Sequence, residues 1–213
     1  MEQKATIHVV DDDEAFVTAV SRLLRASGYA VRSYRSGTEF LQAKIEEGPG
    51  CILLDFVLPG SNGLDLQEEV ARWPNPLPII FLSGYADVPT SVRAIKSGAT
   101  DFLTKPVERQ TLLEAIHTAL ARDAEQRAVR QQTGQWYSLF EALTPREREV
   151  FDRVVIGRLN KQIAAELGIT ERTVKAHRGQ IMTKMRVDSV AQLVHIADQL
   201  EQQRQYPGRA NAL

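Results

Sequence analysis

Cysteine is almost absent from this sequence, and long apolar runs are missing. The one cysteine, Cys51, excludes a disulfide or a cysteine-ligated metal site within a single chain, and its place in the run CILLDF favours a buried thiol. No apolar run approaches the roughly 20 residues that a membrane-spanning helix needs. The segment Met1–Lys4 carries charge without the apolar core of a signal peptide. We therefore expect a cytoplasmic protein with no membrane contact.

The chain also lacks a large overall charge, with a formal net charge of −1. Its first and second parts nevertheless differ in charge. Residues 1–121 carry 11 Lys and Arg against 16 Asp and Glu, whereas residues 122–213 carry 15 against 11. Seven Lys and Arg and two Glu lie between Arg158 and Arg186, which is the most positive stretch. An acidic first part and a basic second part indicate different partners for each.

Short apolar runs alternate with helical patterns through the first half of the chain. Five strands separated by helices predict a parallel sheet with helices on both faces, because crossovers between parallel strands are right-handed. Runs such as CILL and PIIF are apolar throughout, as strands buried on both faces should be. The strand patterns are TIHVV, AVRSY, CILLDF, PIIFLS and DFLT; the helical patterns cover Ala15–Ser27, Gly37–Ile45, Gly63–Arg72 and Val88–Ser97 and resume near Glu108.

The second half of the chain has helical patterns alone. In LTPRERE, Thr144 is placed to cap a helix that begins with a proline, and Glu147 completes a capping box. A helix over about Asn160–Leu167, a stop at Gly168 and a further helix capped by Thr170 form a helix-turn-helix pattern. A fourth helix follows, which predicts an all-α domain.

A polar stretch, ARDAEQRAVRQQTGQ, separates the two patterns and predicts a linker that begins as a helix and breaks near Gly134. The predicted division is therefore an α/β domain over residues 1–121, a helical or flexible linker over 122–138, and an all-α four-helix domain over 139–213. The first domain is expected to be flavodoxin-like, a (βα)5 unit with the parallel strand order 2-1-3-4-5.

Acidic residues follow two of the predicted strands. Asp11 and Asp12 follow the first strand and Asp55 ends the third, and these strands are neighbours in the order 2-1-3-4-5. Carboxylates this close repel each other unless a cation joins them. Mg²⁺ takes oxygen ligands and keeps waters that a phosphate can displace. Ser83 and Lys105 follow the fourth and fifth strands, so the same edge should gain a hydroxyl and an ammonium group.

Two sets of motifs resemble known domains. The segments VVDDDE, LLDFVLPGSNG, FLSGYADV and GATDFLTKP resemble the CheY-like receiver domain of two-component response regulators. The segment LTPREREVFDRVVIGRLNKQIAAELGITERTVKAHRGQIMTKM resembles the LuxR-type DNA-binding domain. Together they resemble the NarL/FixJ family, nearer to the FixJ branch by the run SGYADVPTSVRAIKSGATDF. The resemblance covers about residues 5–203, and the joint occurrence of both sets is specific.

The resemblance implies that Asp55 accepts a phosphoryl group from a sensor histidine kinase. Asp12, Asp55 and the backbone carbonyl of Val57 would hold Mg²⁺, with Asp11 acting through a bound water. The receiver would catalyse its own phosphorylation and later hydrolysis, and would be a switch rather than an enzyme. Neither Val57 nor Tyr85 offers a carboxylate or amide to position attacking water, which predicts a long-lived acyl phosphate.

The resemblance also implies how phosphorylation changes the receiver. Lys105 and Ser83 would contact the phosphoryl oxygens, Ser83 would move inward, and Phe102 would fill the vacated space. The altered surface of the fourth helix and fifth strand would then form a homodimer that places two recognition helices on a two-fold DNA site. The implied partners are a sensor kinase, double-stranded DNA and RNA polymerase.

The predicted recognition helix lies in TERTVKAHRGQIMTKM, whose apolar residues share one helical face. By resemblance to NarL-type complexes, Lys175, Ala176 and Gly179 face the bases. Because Gly179 has no side chain, direct readout is sparse, and Gln180, Arg178 or the shape of the DNA would contribute. The predicted phosphate contacts are Asn160, Lys161, Arg172 and Thr173.

Two other functions stay open from the residues alone. An aspartyl-phosphate phosphatase also uses carboxylates, Mg²⁺ and a lysine at strand ends, but it needs a second acid two residues after the nucleophile, where this chain has Val57. A DNA-binding protein whose receiver only docks partners would bind DNA equally before and after phosphorylation.

Overall fold

The computed structural model describes residues 4–84 and 88–205, the side chains of residues 61 and 202–205 excepted. Two compact units follow each other along the chain, Met1–Arg127 and Ala128–Leu213. Their boundary falls within the predicted linker, while the exact limits at 121 and 139 stay predictions. Among the described helices, none combines the length and the apolar character that spanning a membrane would require.

The first unit is built around a five-stranded parallel sheet. Its elements are β1 Thr6–Val10, α1 Glu14–Ala26, β2 Ala30–Tyr34, α2 Gly37–Gln42, β3 Gly50–Asp55, β4 Val57–Leu58, β5 Ser61–Asn62, α3 Gly63–Ala71, β6 Ile79–Ser83, α4 Val88–Lys96, β7 Asp101–Thr104 and α5 Arg109–Glu141. The sheet order is β2-β1-β3-β6-β7, which is the predicted 2-1-3-4-5 when its five strands are counted along the chain. The short strands β4 and β5 pair with each other, antiparallel, directly after β3.

Side chains on the two faces of this sheet form two separate apolar cores. One face packs with α1 and α5, and the other with α2, α3 and α4. Every residue of β3 is buried, as its continuous apolar pattern predicted. Cys51 is a free, fully buried thiol, and burial, with the nearby carboxylate of Asp123, raises its pKa. The two apolar cores therefore hold the strands in place, and with them the polar residues at the strand ends.

The long helix α5 is attached to the first unit by hydrogen bonds as well as by its apolar face. Its buried residue Asp123 accepts a hydrogen bond from the Gly50 backbone N–H at 3.1 Å. A side chain at Gly50 is excluded there, because a Cβ would lie 2.5 Å from the Thr6 carbonyl oxygen. Arg122 of the same helix donates to the Gly98 carbonyl at 3.2 Å. These two contacts attach α5 to the sheet and to the turn before β7.

The predicted break near Gly134 is wrong, because α5 is one continuous helix from Arg109 to Glu141. Glycine lowers helix stability by only about 1 kcal/mol relative to alanine, so packing overrides it. Trp136, Leu139 and Phe140 follow within two turns and pack in the core of the second unit. The apolar contacts of these residues hold the segment helical.

Gly134→Ala is expected to raise the free energy of unfolding by about 1 kcal/mol, since no described residue outside its own stretch of helix lies within 4 Å of the added Cβ. Urea unfolding followed by circular dichroism measures the change. The matched control is Gly157→Ala, which should lower stability because Gly157 has a φ of 81°. A loss of stability in Gly134→Ala would contradict a helical backbone at this position.

In its described residues, the second unit contains the four predicted helices and, in addition, the end of α5, which was not predicted to extend this far. The four helices are α6 Pro145–Val155, α7 Asn160–Leu167, α8 Glu171–Met185 and α9 Val190–Gln205. Thr144 caps α6 in a capping box with Glu147, and Thr170 caps α8. Gly168 ends α7 in the left-handed region with a φ of 64°. The turn between α7 and α8 therefore has the residues that a helix-turn-helix needs.

Glu147 also joins α6 to α8 below the surface. Its carboxylate accepts hydrogen bonds from the Lys184 ammonium group and from the Thr144 backbone N–H, both at 2.7 Å. The Lys184 hydrogen bond, with the Thr144 contacts, lowers the pKa of Glu147 although burial opposes this. The charged form of Glu147 is therefore the one that stabilises the fold.

Glu147→Gln is expected to lower the free energy of unfolding of the second unit by about 1–3 kcal/mol, because Lys184 loses a charged partner. The pKa of Glu147 is lower in the folded state than in the unfolded state. The stabilisation by its carboxylate is therefore fully present when the pH is above the ordinary pKa of Glu, and it is lost as the pH falls through the folded-state pKa. Urea unfolding at neutral pH and near pH 4 measures the free energy of unfolding of both proteins, and the difference between wild type and Glu147→Gln should be smaller near pH 4. The control is Glu171→Gln, which changes an exposed glutamate. An equal loss of stability in that variant would contradict a specific stabilising role for the Glu147 carboxylate.

Candidate functional site

Polar residues from three strand ends meet at one edge of the sheet. Asp11 follows β1, Asp55 ends β3 and Lys105 follows β7. The Lys105 ammonium nitrogen lies 2.5 Å from Asp11 Oδ2 and 2.7 Å from Asp55 Oδ2. It also lies 4.3 Å from the centroid of the Phe16 ring. The structure therefore brings together side chains up to 94 positions apart in the sequence.

Burial sets the electrostatics of this edge. Asp11 is buried, and burial raises the pKa of its carboxyl against the opposing effect of the Lys105 hydrogen bond. Burial alone would lower the pKa of Lys105, but the hydrogen bonds to Asp11 and Asp55 outweigh it and raise that pKa. Lys105 therefore stays protonated and provides a fixed positive charge beside Asp55.

Three carboxylates form the cluster that the sequence predicted. Asp11, Asp12 and Asp55 each place a carboxylate oxygen within 4.8 Å of the others. Asp12 is exposed, so the cluster opens to solvent. Backbone N–H groups orient its buried members: Asp13 donates to Asp11 at 3.0 Å and Val57 donates to Asp55 at 2.9 Å. An all-oxygen set with one open side suits a hard divalent cation such as Mg²⁺.

The segment after Asp55 is held close to the sheet by a glycine. A Cβ at Gly63 would lie 2.9 Å from the Phe81 ring, 3.1 Å from the Phe56 carbonyl oxygen and 3.2 Å from the Asp55 carbonyl oxygen. Only glycine permits this approach of the start of α3 to the end of β3. Val57, predicted to offer its carbonyl to a cation, lies between them and is 67% exposed.

The two predicted switch residues lie on β6 and β7. Ser83 ends β6 and is fully buried, and its carbonyl accepts from the Lys105 backbone N–H at 2.8 Å. Phe102 is half-buried, with its ring centroid 5.7 Å from that of Phe56 and 6.0 Å from that of Phe81. Tyr85 lies outside the described residues. The polar edge and the aromatic cluster are therefore adjacent through β6 and β7.

Sequence reasoning missed Phe56, Phe81 and Gly63 as supports of this edge. Phe56 comes directly after Asp55 and Phe81 lies two residues before Ser83, so the period of two along a strand places Phe81 on the same side as Ser83. Gly63 gave no comparable signal, because the sequence does not show how closely two backbones approach.

The outward face of α8 carries the predicted DNA contacts. Val174, Ile181 and Met185 are buried in the core of the second unit, as their spacing predicted. The residues left at the exposed surface are Lys175, Ala176, Gly179 and Gln180 on α8, with Arg172 at its start and Lys161 on α7.

Three of the predicted contacts are partly buried. Arg178 donates to Asn160 Oδ1 at 2.8 Å, and Thr173 shares a hydrogen bond with the capping residue Thr170 at 2.9 Å. Arg178 and Asn160 join α8 to the first residue of α7. The Thr173 hydroxyl therefore belongs to the cap of α8, while Asn160 and Arg178 form a pair.

Known protein families match both units. The model of the response regulator receiver domain matches residues 7–117, and that of the bacterial regulatory proteins of the luxR family matches residues 141–197. Nodulation protein W of Bradyrhizobium diazoefficiens is 44% identical over 197 residues, which cover 92% of this chain and 87% of that protein. The transcriptional regulatory protein FixJ of Azorhizobium caulinodans is 38% identical, covering 92% of this chain and 93% of that one. The chain belongs to the NarL/FixJ family of response regulators.

A solved relative agrees with this assignment. The response regulator StyR is 43% identical, with a TM-score of 0.75 over 92% of this chain and 99% of that chain. The predicted combination of a receiver with a LuxR-type helix-turn-helix domain is thereby confirmed. The phosphatase alternative gains no support, because both units match regulators.

Proposed function

We propose that this response regulator is a transcription factor activated by phosphorylation of Asp55. The carrying observation is the convergence of Asp11, Asp12, Asp55 and Lys105 at one edge of the sheet. A sensor histidine kinase supplies the phosphoryl group in this proposal, and the protein works in the cytoplasm. The receiver is a switch, and its self-catalysed phosphorylation and later hydrolysis are steps of that switch.

The residues of the edge fit a magnesium ion. Asp12, Asp55 and the Val57 carbonyl would hold it, with Asp11 acting through a water. When bound, the ion supplies positive charge that offsets the charge on the transferring phosphoryl group. Lys105 contributes a second positive charge on the side of Asp11 and Asp55.

The chain's own residues can carry the transfer. A carboxylate oxygen of Asp55 forms the bond to phosphorus while the bond from phosphorus to the donor nitrogen of the kinase histidine breaks. The Val57 N–H fixes one Asp55 oxygen at 2.9 Å and Lys105 contacts the other at 2.7 Å. Lys105 then pairs with the new phosphoryl oxygens, and the Ser83 hydroxyl donates to another of them.

The switch uses the aromatic cluster beside the edge. When the Ser83 side chain turns toward the phosphoryl group, Phe102 follows it inward, and the rings of Phe56 and Phe81 supply its apolar surroundings. Phenylalanine lacks the hydroxyl of tyrosine, so packing alone drives the movement. The surface of α4 and β7 changes as a result.

The surface of α4 is suited to a homodimer. Val88, Val92 and Ile95 are 75%, 44% and 44% exposed and lie at helical spacing on one side of α4. An exposed apolar stripe of this kind marks an interaction surface. We infer that phosphorylation completes this surface and that the dimer presents two recognition helices to a two-fold DNA site.

DNA binding rests on α7 and α8. Lys175, Ala176 and Gly179 would face the major groove, with Gln180 beside them, and sparse side chains would leave part of the specificity to DNA shape. Lys161, Arg172, Thr173 and Asn160 would approach the phosphates, and Arg178 lies next to Asn160. RNA polymerase is the expected partner at the promoter.

Selection of duplexes from a random library tests this function directly. The full chain is presented with the library at fixed salt, with and without acetyl phosphate and Mg²⁺. We expect two-fold sites to be enriched, and more strongly after phosphorylation. Enrichment of the same sites at the same affinity in both conditions would favour a receiver that only docks partners.

The acyl phosphate is expected to be long-lived, because the exposed Val57 side chain cannot position attacking water. Val57→Asn should shorten the half-life about tenfold or more by adding an amide at that place, whereas Val57→Ile should not. Loss of labelled phosphate from the isolated phosphoprotein measures both. Loss of the label from the wild-type protein within seconds would refute this expectation.

A further inference from the structure

A concave site of about 330 Å³ lies on the second unit, between the start of α7 and the outward face of α8. It is lined by Arg158, Leu159, Asn160, Lys175 and Arg178. Three of these five residues carry positive charge, and none of the described lining residues is an acid. The site therefore has the size and charge to hold an anion.

The Asn160 side chain has a fixed orientation in this site. Its Oδ1 atom accepts the hydrogen bond from Arg178 Nη1 at 2.8 Å. Because the oxygen is occupied, the amide NH₂ group is the part that can serve a ligand, and it is a donor. Asn160 thus offers a hydrogen-bond donor, which is what a phosphate oxygen accepts.

Arg158 brings a further guanidinium group to the site. The turn after α6 places it, with the Arg158 N–H donating to the Arg153 carbonyl at 3.0 Å and Gly157 at a φ of 81°. Its Nε lies 3.5 Å from Glu166, but the same carboxylate also pairs with Arg153 at 3.0 Å. Two arginines therefore share one acid, and the Arg158 side chain is half exposed.

We propose that this concave site binds one backbone phosphate of duplex DNA. Arg158 supplies the charge, Asn160 donates through its amide, and Arg178 positions Asn160 instead of reading a base. Lys175 lines the edge of the site next to the bases. The inference rests on the proposed DNA-binding function and adds Arg158, which the sequence pattern did not single out. A phosphate contact at this place fixes the register of α8 without carrying sequence information.

Salt titration of DNA binding by the full chain tests the role of Arg158. Arg158→Ala should reduce the slope of log affinity against log salt by about 0.9 and weaken binding about tenfold at low salt, equally on unrelated duplexes. Arg153→Ala is the matched control, since it removes the same charge and the same Glu166 partner outside the concave site. An unchanged slope in Arg158→Ala, or equal losses in both variants, would overturn the proposal.

A double-mutant cycle tests Arg178 as a positioning residue. Arg178→Ala and Asn160→Ala should each weaken binding by a similar factor, the double variant should lose little more, and Arg178→Lys should restore part of the loss. Additive losses, or a changed preference at a single base position in Arg178→Ala, would show that Arg178 contacts DNA itself.

Titration with inorganic phosphate separates this inference from DNA binding. The probes are the NMR signals of the Asn160 side-chain amide and of Arg158 Nε in the full chain. Saturable shifts that disappear in Arg158→Ala would support the concave site even if no duplex bound, in which case the proposed function alone would fail. The absence of shifts in the wild-type protein would overturn the site.

Discussion

Asp55→Asn is expected to abolish phosphoryl incorporation and, with it, every effect of phosphorylation on self-association and DNA affinity. The amide keeps the size of the carboxylate and can still accept from the Val57 N–H, but it is not a nucleophile for phosphorus. The substitution also removes one negative charge from the carboxylate cluster that would hold Mg²⁺. Mass spectrometry after treatment with acetyl phosphate and Mg²⁺ should show one added phosphoryl group in the wild-type protein and none in the variant.

The control for this experiment is Asp65→Asn, which removes an exposed acid from the first turn of α3 in the same unit. It should be phosphorylated like the wild-type protein, because Asp65 lies outside the cluster. Phosphorylation of Asp55→Asn at the wild-type rate would mean that another carboxylate is the acceptor, and Asp12 would be the first to examine.

Gly63→Val is expected to impair the same site without changing any of its polar side chains. The added Cβ would lie within 3.2 Å of the Phe81 ring and of the carbonyl oxygens of Phe56 and Asp55, so the backbone that carries Asp55 must move. Overpacking of this kind costs about 1–3 kcal/mol of stability. Displacement of a reacting group by about 1 Å can slow a reaction about 100-fold, so we expect phosphorylation to slow at least tenfold.

Gly84→Ala provides the comparison for Gly63→Val. Gly84 directly follows Ser83, yet none of the residues that the structure describes comes within 4 Å of a Cβ there, so stability and phosphorylation rate should stay near the wild-type values. Urea unfolding and the rate of phosphoryl incorporation measure the two effects separately. A Gly63→Val protein with unaltered stability and rate would contradict the close approach of α3 to β3.

The sheet and the location of the acidic edge could be predicted because both depend on simple patterns. Runs such as CILL are apolar at every position, which is typical of a strand buried on both faces, and β3 is buried throughout. Once the strand order is known, the acids that follow β1 and β3 must lie together. Thus the cluster of Asp11, Asp12 and Asp55 follows from the positions of the acids in the sequence together with the strand order.

Contacts that depend on tertiary packing could not be predicted from those patterns. The sequence places a glycine and polar residues before Trp136, which favours a break, but apolar contacts of the second unit keep α5 helical through Gly134. Similarly, the pairing of Lys105 with both Asp11 and Asp55 requires the strand ends to be at hydrogen-bonding distance. A linear pattern carries no such distance.

The two arginine positions in the second unit show the same limit. Arg158 follows the turn after α6 and has no periodic relation to α8, although both contribute to one concave site. Arg178 lies on the outward side of α8 by its spacing, but its guanidinium reaches Asn160 on α7. Spacing gives the side of a helix on which a residue lies, whereas its partner comes from the neighbouring helix.

Sedimentation velocity with bound DNA tests the central claim most directly. Full-length protein is run with and without acetyl phosphate and Mg²⁺, alone and with a selected two-fold duplex, alongside Asp55→Asn. The account predicts monomers that become dimers on phosphorylation in the wild-type protein only, with DNA bound by the dimer at higher affinity. An unchanged oligomeric state with equal DNA affinity in all conditions would contradict it.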